Sequence, residues 1–462
     1  MIPRLVIAAP GSGAGKTTVA TGLLAALARR GLRPAAFKVG PDFIDPSYHR
    51  LASGRPGRNL DAFLSGEDLI APLFCHGAEG AGIAVIEGVM GLFDGRRGSD
   101  DLASTAHVAR LLRAPVVLVV DARAMAGSVA ALVAGFASFD PNVRVAGVVL
   151  NRVGSSVHEE MLRDALARVE MPVIGALGRD EVLAVPERHL GLVPTAERDE
   201  AARRTVAELG ERVAGACDLD AVVRLAHEAG PLAVGRWRPD EAVAAARAEP
   251  GGDPIRIAVA SGPAFSFRYE ENLELLRAAG AELFEFNPLA GELPAGADGL
   301  LLGGGFPEAF AAELSEARAL RETMRELAAA GRPVIAECGG LLFLCRELDG
   351  RPMCGVIEAS ARMGDRLTLG YREAEAASDS AIAPAGERLR GHEFHYSTVE
   401  PESGTSPAWR VYRRGRFTEE GFVRAGVHAS YLHTHWAATP AVAARLVSSA
   451  RAARPGLVGG PA

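Results

Sequence analysis

The sequence has few cysteines and no long apolar segment, and these absences exclude several kinds of protein. No apolar run approaches the roughly 20 residues needed to cross a bilayer, and the first residues, MIPRLVIAAPGSGAGK, lack the basic and apolar segments of a secretory signal. We therefore expect a cytoplasmic protein with reduced thiols and no membrane partner. The five cysteines show no paired metal spacing and no even-numbered disulfide framework, and they lie at positions 75, 217, 338, 345 and 354.

A basic excess is also absent, which argues against a nucleic-acid-binding protein. The chain has 57 acidic and 50 basic residues and a formal net charge of -7, whereas proteins that bind nucleic acid usually carry a basic surface. Hydrophobic residues make up 48% of the chain and charged residues 23%, as in ordinary globular proteins. The length of 462 residues allows two or three domains, each with its own core.

Apolar runs that alternate with helical stretches predict the fold class. The early runs RLVIAA, AAFKVG, GIAVIEGV, PVVLVVDA and VAGVVLNRV are typical of buried strands, and the segments between them have the apolar spacing of helices. This alternation predicts an α/β fold with a parallel sheet covered by helices. A second series of the same kind starts at Ile255 and predicts a second α/β domain.

Composition indicates where the first domain ends. Residues 198 to 247 are rich in Ala, Arg and Glu and predict helix, whereas AEPGGDP, residues 248 to 254, contains glycine and proline, which interrupt regular structure. We therefore assign residues 1–247 to the first domain, 248–254 to a linker and 255–450 to the second domain. Within the second domain, we expect one helix at about 311 to 330 and short strands from 353 to 436.

A glycine-rich segment after the first predicted strand predicts a phosphate-binding loop. The segment APGSGAGKTT, residues 9 to 18, lies between a strand and a helix, where backbone N–H groups and the positive end of the helix dipole bind phosphates. Lys16 would contact the outer phosphates, although Pro10 stands where the strict pattern has glycine. We assign ATP binding to Gly11, Gly13, Gly15, Lys16, Thr17 and Thr18.

Acidic residues follow two further predicted strands of the first domain. KVGPDFIDP carries Lys38, Asp42 and Asp45, and VIEGVMGLFDG carries Glu87 and Asp94. Carboxylates at the carboxyl ends of parallel strands face the ligand crevice, where they hold Mg²⁺ or orient a substrate. The alternative for the two aspartates of the first segment is turn formation, because aspartate often hydrogen-bonds its own backbone.

Two assignments concern the ATP and its metal ion. We expect Thr17, Asp45 and Glu87 to supply the protein ligands of Mg²⁺. Asn151, in the segment VVLNRV, could read adenine through its side-chain amide, with helix capping as the alternative.

In the second domain, the segment AECGG is typical of a nucleophile at a strand-to-helix turn. Cys338 would be exposed at this turn, and the N–H of Gly339 would face a developing oxyanion. The earlier segment LLGGGFPE could supply a second donor from Gly304 or Gly305. His433, in GVHASYLHTHW, is the candidate base for the thiol. The alternative for the cysteine is a small buried hydrophobic residue.

A thiol that releases ammonia from glutamine and an ATP site that phosphorylates a carboxylate together indicate amide synthesis. The chain resembles the cobyrinic or hydrogenobyrinic acid a,c-diamide synthases along nearly its whole length. The N-terminal half is similar to dethiobiotin synthetase and the C-terminal half resembles class I, triad-type glutamine amidotransferases. The segments that carry the resemblance are KVGPDFIDP, EGVMGLFDG, VPERHLGLVP, AFSFRYEENLELL, GGGFPE, AECGG, GHEFHYS and SYLHTHW.

This resemblance implies that Cys338 is the glutaminase nucleophile, that His433 is its base, and that ATP, Mg²⁺, glutamine and a corrinoid carboxylic acid are used. The a and c side chains of the ring would be amidated in turn. Triad-type amidotransferases have glutamate two residues after the histidine, and this chain has His435 there. The third triad member is therefore absent or comes from elsewhere, with Glu393 as a candidate. We expect slow glutamine hydrolysis until the synthetase site is filled.

Several alternatives stay open from the sequence. Cobyric acid synthase and nickel-sirohydrochlorin a,c-diamide synthase share this chemistry, and a nucleotide switch with an inactive amidotransferase-like domain belongs to a different class. His392, Glu393 and His395 in GHEFHYS could bind a metal, but we favour a structural or interdomain role. The sequence leaves open the cobalt content of the ring, the order of amidation and the oligomeric state, for which a homodimer is one option.

Overall fold

Parallel strands form the centre of each of the two units into which the chain divides, Met1–Trp237 and Arg238–Ala462. The computed structural model describes residues 2–96, 98, 101–179, 187–188, 191–192, 199–246, 254–413 and 415–454. The α/β fold class predicted from the sequence is confirmed in both units. In the part of the chain that the structure describes, no helix has the length and apolar character required to span a membrane.

The first unit contains a parallel sheet whose described strands follow the order β3-β2-β4-β1-β5-β6-β7. The strands β1 and β5 are apolar and largely buried along their lengths, as expected for strands covered on both faces. The elements of this unit are β1 (Arg4–Ala8), α1 (Lys16–Arg29), β2 (Pro34–Val39), α2 (Asp45–Ser53), β3 (Gly57–Leu60), α3 (Glu67–Gly77), β4 (Ile83–Glu87), α4 (Thr105–Leu111), β5 (Val116–Asp121), α5 (Ser128–Phe139), β6 (Val145–Val153), α6 (Ser156–Ala167), β7 (Val173–Gly178), β8 (Glu187–Arg188), β9 (Gly191–Leu192), α7 (Asp199–Ala216) and α8 (Leu219–His227).

The second unit combines a mostly parallel sheet with a mostly antiparallel one. Its elements are α9 (Pro239–Ala245), β10 (Ile255–Ala260), α10 (Glu270–Ala278), β11 (Ala281–Phe286), β12 (Gly299–Leu302), α11 (Ala311–Glu316), α12 (Arg318–Ala329), β13 (Val334–Glu337), α13 (Gly339–Leu344), β14 (Glu347–Leu348), β15 (Arg351–Pro352), β16 (Ser360–Ala376), β17 (Arg388–Glu400), β18 (Trp409–Arg413), β19 (Arg416–Glu420), β20 (Phe422–Arg424), β21 (Val427–Ser430), β22 (His433–Thr434) and α14 (Ala441–Ala452). The described strands of the first sheet follow the order β11-β10-β12-β13-β21-β20, and β22 pairs with β17 in the second sheet.

Some elements differ from the sequence-based expectation. Two helices, α11 and α12, replace the single helix predicted at 311 to 330, because Ala317 leaves the helical conformation with φ -70° and ψ 61°. The expected short strands include two long ones, β16 and β17, which pair with each other across a register shift between Met363 and Thr368. The length of these strands depends on pairing between residues distant in the sequence, so local composition does not predict it.

The division between the units falls earlier than the predicted domain boundary. Helix α9 belongs to the second unit, where it packs against α10 and α14. The predicted linker at 248 to 254 lies outside the described residues except for Pro254, and most of VPERHLGLVP also lies outside them. The assigned domain limits therefore remain a prediction.

We predict that Gly22→Ala destabilises the first unit, because the added methyl group has no room between α1 and α7. A Cβ at Gly22 would lie 2.8 Å from the Leu209 carbonyl oxygen, and overpacking of this kind costs about 1–3 kcal/mol. The matched control is Gly215→Ala on α7, where a Cβ would have no neighbour within 4 Å. Calorimetry should give a lower unfolding temperature for the first variant alone, and equal unfolding temperatures would contradict this packing argument.

Candidate active sites

The predicted phosphate loop leads from β1 into α1. Gly13 and Gly15 have φ of +77° and +98°, a conformation that residues with a side chain rarely adopt. Lys16 begins α1, and its Nζ donates to the carbonyl oxygens of Gly11 at 3.0 Å and Met90 at 2.6 Å. Burial, together with the charge of Lys38, lowers the pKa of Lys16 to about 8. Thr18 is half-buried in the first turn of the helix.

Four of the predicted side chains meet where β2 and β4 end beside β1. Lys38 Nζ lies 2.7 Å from Asp45 Oδ2 and 2.9 Å from Glu87 Oε1. The Thr17 hydroxyl donates to Glu87 Oε1 at 2.6 Å and lies 3.3 Å from Asp45 Oδ2. Lys38 and Glu87 are direct partners in the register of β2 and β4, so the parallel pairing brings the two charges together.

His49 completes this cluster and was missed by the sequence analysis. Its Nε2 lies 2.7 Å from Glu87 Oε2, and the side chain is buried. The signal that could have found it is helical spacing, because Asp45 and His49 are four residues apart on α2 and therefore share one face.

The charges of the cluster suit a divalent cation. Burial and the carboxylates of Asp42 and Glu87 raise the pKa of Asp45 well above its usual range. At Glu87, burial acts to raise the pKa, but Lys38 and His49 outweigh it and lower that pKa. Three carboxylates lie within 4.0 Å of Lys38 Nζ, and oxygen donors are the ligands that Mg²⁺ prefers. The residues predicted for the metal, Thr17, Asp45 and Glu87, therefore fit such an ion.

Two predicted residues of the first site, Asp42 and Asp94, have other contacts. Asp42 Oδ1 accepts from the backbone N–H groups of Ile44 and Asp45, so it forms a turn, and its Oδ2 lies 4.0 Å from Lys38 Nζ. Asp94 is exposed and accepts from the N–H of Gly91 at 2.8 Å, and its charge acts to raise the pKa of Lys16.

Asn151 contacts the phosphate loop itself. Its Nδ2 donates to the Ala14 carbonyl oxygen at 2.9 Å, and its Oδ1 accepts from the N–H of Arg152. A Cβ at Gly15 would overlap the Asn151 amide, so glycine is also required there for packing. Adenine recognition by Asn151 stays a prediction, whereas its contact with the loop is a feature of the structure.

Cys338 occupies a strained turn between β13 and α13, where it is buried and not exposed as the sequence analysis expected. Its φ is +50° and ψ is -100°, a conformation that costs a residue with a side chain about 1–3 kcal/mol. Its N–H donates to the Ser430 carbonyl oxygen at 2.8 Å. Burial, with the charge of Glu308 next in size, raises the pKa of the thiol well above its usual range. A base must therefore remove the proton as the sulfur reacts.

Gly339 lies close to Gly304 and Gly305, the other glycines predicted to supply an oxyanion donor. A Cβ at Gly339 would lie 3.0 Å from the backbone nitrogen of Gly305 and 3.4 Å from the carbonyl carbon of Gly304. Gly304 pairs with Phe267 through its carbonyl oxygen. This geometry favours the N–H of Gly305 over that of Gly304 as the second donor beside Gly339.

His433 lies on the other side of Gly304. A Cβ at Gly304 would be 2.5 Å from His433 Cε1 and 3.3 Å from Nε2, so this edge of the imidazole faces the glycine that also adjoins the turn after Cys338. The ring stacks on His392 with centroids 4.9 Å apart. Burial, and then the charge of His395, lowers the pKa of His433 to about 3. The imidazole is therefore neutral at ordinary pH and can accept a proton.

The suggestion that Glu393 completes a triad is wrong in this structure. Both carboxylate oxygens of Glu393 are engaged by arginines, Oε2 with Arg372 Nε at 2.5 Å and Oε1 with Arg413. His435 lies 3.5 Å from Glu271 Oε2 and caps a short turn. The carboxylate that sequence reasoning missed is Glu337, whose Oε2 lies 3.8 Å from His433 Nδ1.

The histidines of GHEFHYS have partners within the second unit. His392 Nε2 lies 2.9 Å from the Tyr269 hydroxyl, and His395 stacks on Tyr431 with centroids 3.7 Å apart. Across the described ranges, no group of three or more His, Cys, Asp and Glu side chains has the arrangement of a metal site. The structural role favoured for this segment agrees with these contacts.

Comparisons with known proteins divide the chain in the same two parts. Residues 5–193 match the CobQ/CobB/MinD/ParA nucleotide binding domain, and residues 256–441 match the CobB/CobQ-like glutamine amidotransferase domain. The hydrogenobyrinate a,c-diamide synthase of Streptomyces coelicolor is 57% identical over 97% of this chain and 98% of the relative. The synthase of the same name from Mycobacterium bovis is 53% identical over 97% and 98% of the two chains. The cobyrinate a,c-diamide synthase of Gloeobacter violaceus is 48% identical over 96% and 95%.

A nucleotide-binding unit followed by a glutamine amidotransferase unit defines a class of ligases that amidate a substrate with nitrogen from glutamine. Identity at this level over nearly the whole length places the chain within a narrower group. The chain belongs to the hydrogenobyrinate and cobyrinate a,c-diamide synthase family.

We predict that Asn151→Ala raises the KM for ATP about 2- to 10-fold, because a buried hydrogen bond to the loop is worth about 0.5–1.5 kcal/mol. The preference for ATP over GTP should stay the same, since the amide contacts the loop. Asn142→Ala, at an exposed position before β6, is the control and should behave as the wild type. A selective gain in GTP use by the Asn151 variant would instead assign the amide to adenine recognition.

Proposed function

We propose that the protein amidates the a and c carboxylates of hydrogenobyrinic or cobyrinic acid, using ATP and glutamine. The observation that carries this proposal is the presence of both sites in one chain that aligns with a,c-diamide synthases along nearly its whole length. The higher identity to the hydrogenobyrinate enzymes, 57% and 53% against 48%, favours the cobalt-free ring. Neither cobyric acid synthase nor nickel-sirohydrochlorin a,c-diamide synthase is favoured.

The second unit would release ammonia from glutamine through a thioester. The sulfur of Cys338 attacks the side-chain amide carbon of glutamine as its proton moves to His433 Nε2. The N–H groups of Gly339 and Gly305 donate to the oxyanion of the tetrahedral intermediate. Its collapse breaks the carbon–nitrogen bond, and His433 returns the proton to the departing nitrogen, which leaves as ammonia. Water then cleaves the thioester to give glutamate and the free thiol.

The first unit would activate the ring carboxylate. An oxygen of the carboxylate attacks the γ-phosphorus of ATP, which gives an acyl phosphate and ADP, and ammonia then displaces phosphate to form the amide. The phosphate loop and Lys16 bind the phosphate groups that carry the negative charge. Lys38 and the neighbouring carboxylates position the reacting groups. Burial, followed by the charge of Lys38, lowers the pKa of Lys16 to about 8, and bound phosphates would favour its charged form.

We further propose that Thr17, Asp45 and Glu87 hold Mg²⁺. The proposal is supported by the oxygen-only donor set and by its geometry, because the Thr17 hydroxyl lies 2.6 Å from Glu87 Oε1 and 3.3 Å from Asp45 Oδ2. When bound, the ion supplies electrostatic stabilisation of the transferring phosphoryl group.

The proposal also includes the activity of each unit, the cellular location and the oligomeric state. The synthetase and glutaminase activities are assigned to the first and second units, respectively. A cytoplasmic location is supported by the cysteines, all five of which are free. A homodimer remains a prediction that analytical ultracentrifugation would test.

The first experiment is to supply the purified protein with ATP, Mg²⁺ and glutamine together with hydrogenobyrinic acid, cobyrinic acid or nickel-sirohydrochlorin. We expect ATP hydrolysis, glutamate release and a mass change of two amides, with the highest kcat/KM for hydrogenobyrinic acid. Coupled turnover only with nickel-sirohydrochlorin, or with none of the rings, would contradict the proposed function.

We predict that Cys338→Ser reduces glutamine-dependent amidation at least about 10³-fold, because a serine hydroxyl is much harder to deprotonate than a thiol and is a weaker nucleophile. Amidation with ammonium chloride should be unchanged, since ammonia bypasses the thioester. Cys75→Ser, a change in the first unit at a half-buried cysteine, is the control and should retain both activities. Glutamine-dependent activity in the Cys338 variant would remove the thiol from the mechanism.

A further inference from the structure

The second unit places a carboxylate beside the candidate base that the triad pattern does not predict. Triad-type amidotransferases have glutamate two residues after the histidine, where this chain has His435. Glu337 instead precedes the nucleophile, at the carboxyl end of β13. Its Oε2 lies 3.8 Å from His433 Nδ1, and the two side chains are 12% and 1% exposed. The pair is therefore shielded from water, where a carboxylate affects its neighbours more strongly.

The two oxygens of Glu337 have separate contacts. Oε1 accepts from the Thr434 N–H at 3.1 Å and from the Thr434 hydroxyl at 2.7 Å. Thr434 directly follows His433 in β22, so these bonds fix the strand that carries the base relative to the strand that carries Cys338. Oε2 faces the imidazole of His433. The Glu337 side chain therefore connects β13, which leads to the nucleophile, with β22, which carries the base, and it places a carboxylate beside the ring.

The two ring nitrogens of His433 face different groups. Nδ1 faces Glu337, whereas Cε1 and Nε2 lie on the side of Gly304, whose neighbours adjoin the turn after Cys338. A carboxylate beside Nδ1 favours the tautomer with the proton on Nδ1, which leaves the lone pair on Nε2. That tautomer is the one able to remove the thiol proton.

We propose that Glu337 is the positioning residue that takes the place of the missing triad glutamate: it holds His433 in its reactive tautomer and stabilises the imidazolium formed during glutamine hydrolysis. This inference rests on the proposed glutaminase function. Glu337 keeps its own proton state throughout, because the proton moves only between Cys338 Sγ, His433 Nε2 and the leaving nitrogen. It therefore touches neither glutamine nor the sulfur in this role.

Other carboxylates near this site have different partners in the described structure. Glu393 pairs with two arginines, and Glu271 lies beside His435. Glu420 accepts from the Ser430 hydroxyl at 2.6 Å and from the N–H of Tyr431. The charge of Glu308 raises the pKa of Cys338, as do those of Glu337 and Glu393 to a smaller extent.

The protonation of Glu337 supplies a readout. Burial raises its pKa to about 7, and the two hydrogen bonds from Thr434 act against that rise. Glutaminase activity that needs the ionised carboxylate should therefore increase as pH rises through about 7.

His433 itself, with a pKa of about 3, stays neutral across this range. Among the groups that face the base, His392 has its pKa lowered well below the usual range by burial, and the pKa of His395 is also lowered by burial. Neither histidine is expected to titrate near pH 7.

The decisive experiment compares Glu337→Gln with Glu420→Gln in the full-length protein. Glutamine would keep an oxygen for the Thr434 donors, but its NH₂ would face Nδ1 and favour the wrong tautomer of His433. We expect Glu337→Gln to lower the kcat of glutamine hydrolysis about 10²- to 10⁴-fold, the range that general base catalysis contributes, and to remove the increase near pH 7, because loss of an orienting carboxylate favours the wrong imidazole tautomer. Glu420 is the matched control, because burial also raises its pKa to about 7 while its partners are Ser430 and Tyr431.

Two further variants keep the test informative if Glu337→Gln folds poorly. Glu337→Asp retains the charge and should recover part of the activity and the pH-dependent increase. Thr434→Val removes a hydrogen bond that lowers the pKa of Glu337, so the increase should move to higher pH. A change in folding alone would not shift this midpoint.

The outcomes separate the inference from the proposed function. Ammonia-dependent amidation of the ring should remain at the wild-type rate in every one of these variants, and its absence in the wild type would count against the proposed function instead. The role of Glu337 is overturned if Glu337→Gln keeps its activity and its increase near pH 7, or if Glu420→Gln loses both to the same extent.

Discussion

In both units, the carboxyl ends of neighbouring parallel strands are where side chains distant in sequence come together, and each candidate site depends on this constraint. In the first unit, β2, β4 and β1 lie side by side, which brings Lys38, Glu87 and the phosphate loop to one edge. In the second, β12, β13 and β21 end together, so the glycines after Leu302, the nucleophile after Glu337 and the chain leading to His433 meet. Pairing in register is thus a condition for chemistry as well as for stability.

Burial then sets the protonation of the groups that meet at these edges. In the second unit, it raises the pKa of Cys338 and lowers that of His433, so the resting pair is a neutral thiol and a neutral imidazole. The thiolate and imidazolium charges form only when the proton moves from Cys338 to His433. Because the site is buried, a nearby carboxylate interacts strongly with these charges. In the first unit, the buried Lys38 lies between the carboxylates of Asp45 and Glu87. Burying such a cluster is unfavourable unless its charges are balanced. We therefore expect the site to bind cationic and anionic ligands that complete this balance.

Each site also contains a residue with a side chain whose backbone conformation favours glycine. Met90 has φ of +48° and Cys338 has φ of +50°. The Met90 carbonyl oxygen accepts from Lys16 of the phosphate loop, and the Cys338 N–H donates to Ser430. Each strained residue is therefore held by a hydrogen bond to an element that the site requires. Strain of this kind persists only where the surrounding structure enforces it.

Features that depend on residues close together in the chain could be predicted from the sequence. The phosphate loop, the turn at Cys338 and the α/β alternation are local patterns, and they were recognisable as APGSGAGKTT, AECGG and apolar runs. Tertiary structure decided the rest, because it depends on which strands are neighbours. Only the folded chain joins His49 to Glu87, directs Glu393 to two arginines and brings Glu337 to His433. The spacing of 96 residues between Glu337 and His433 in the sequence does not predict that contact, because the pairing of β13 with β21 and of β22 with β17 creates it.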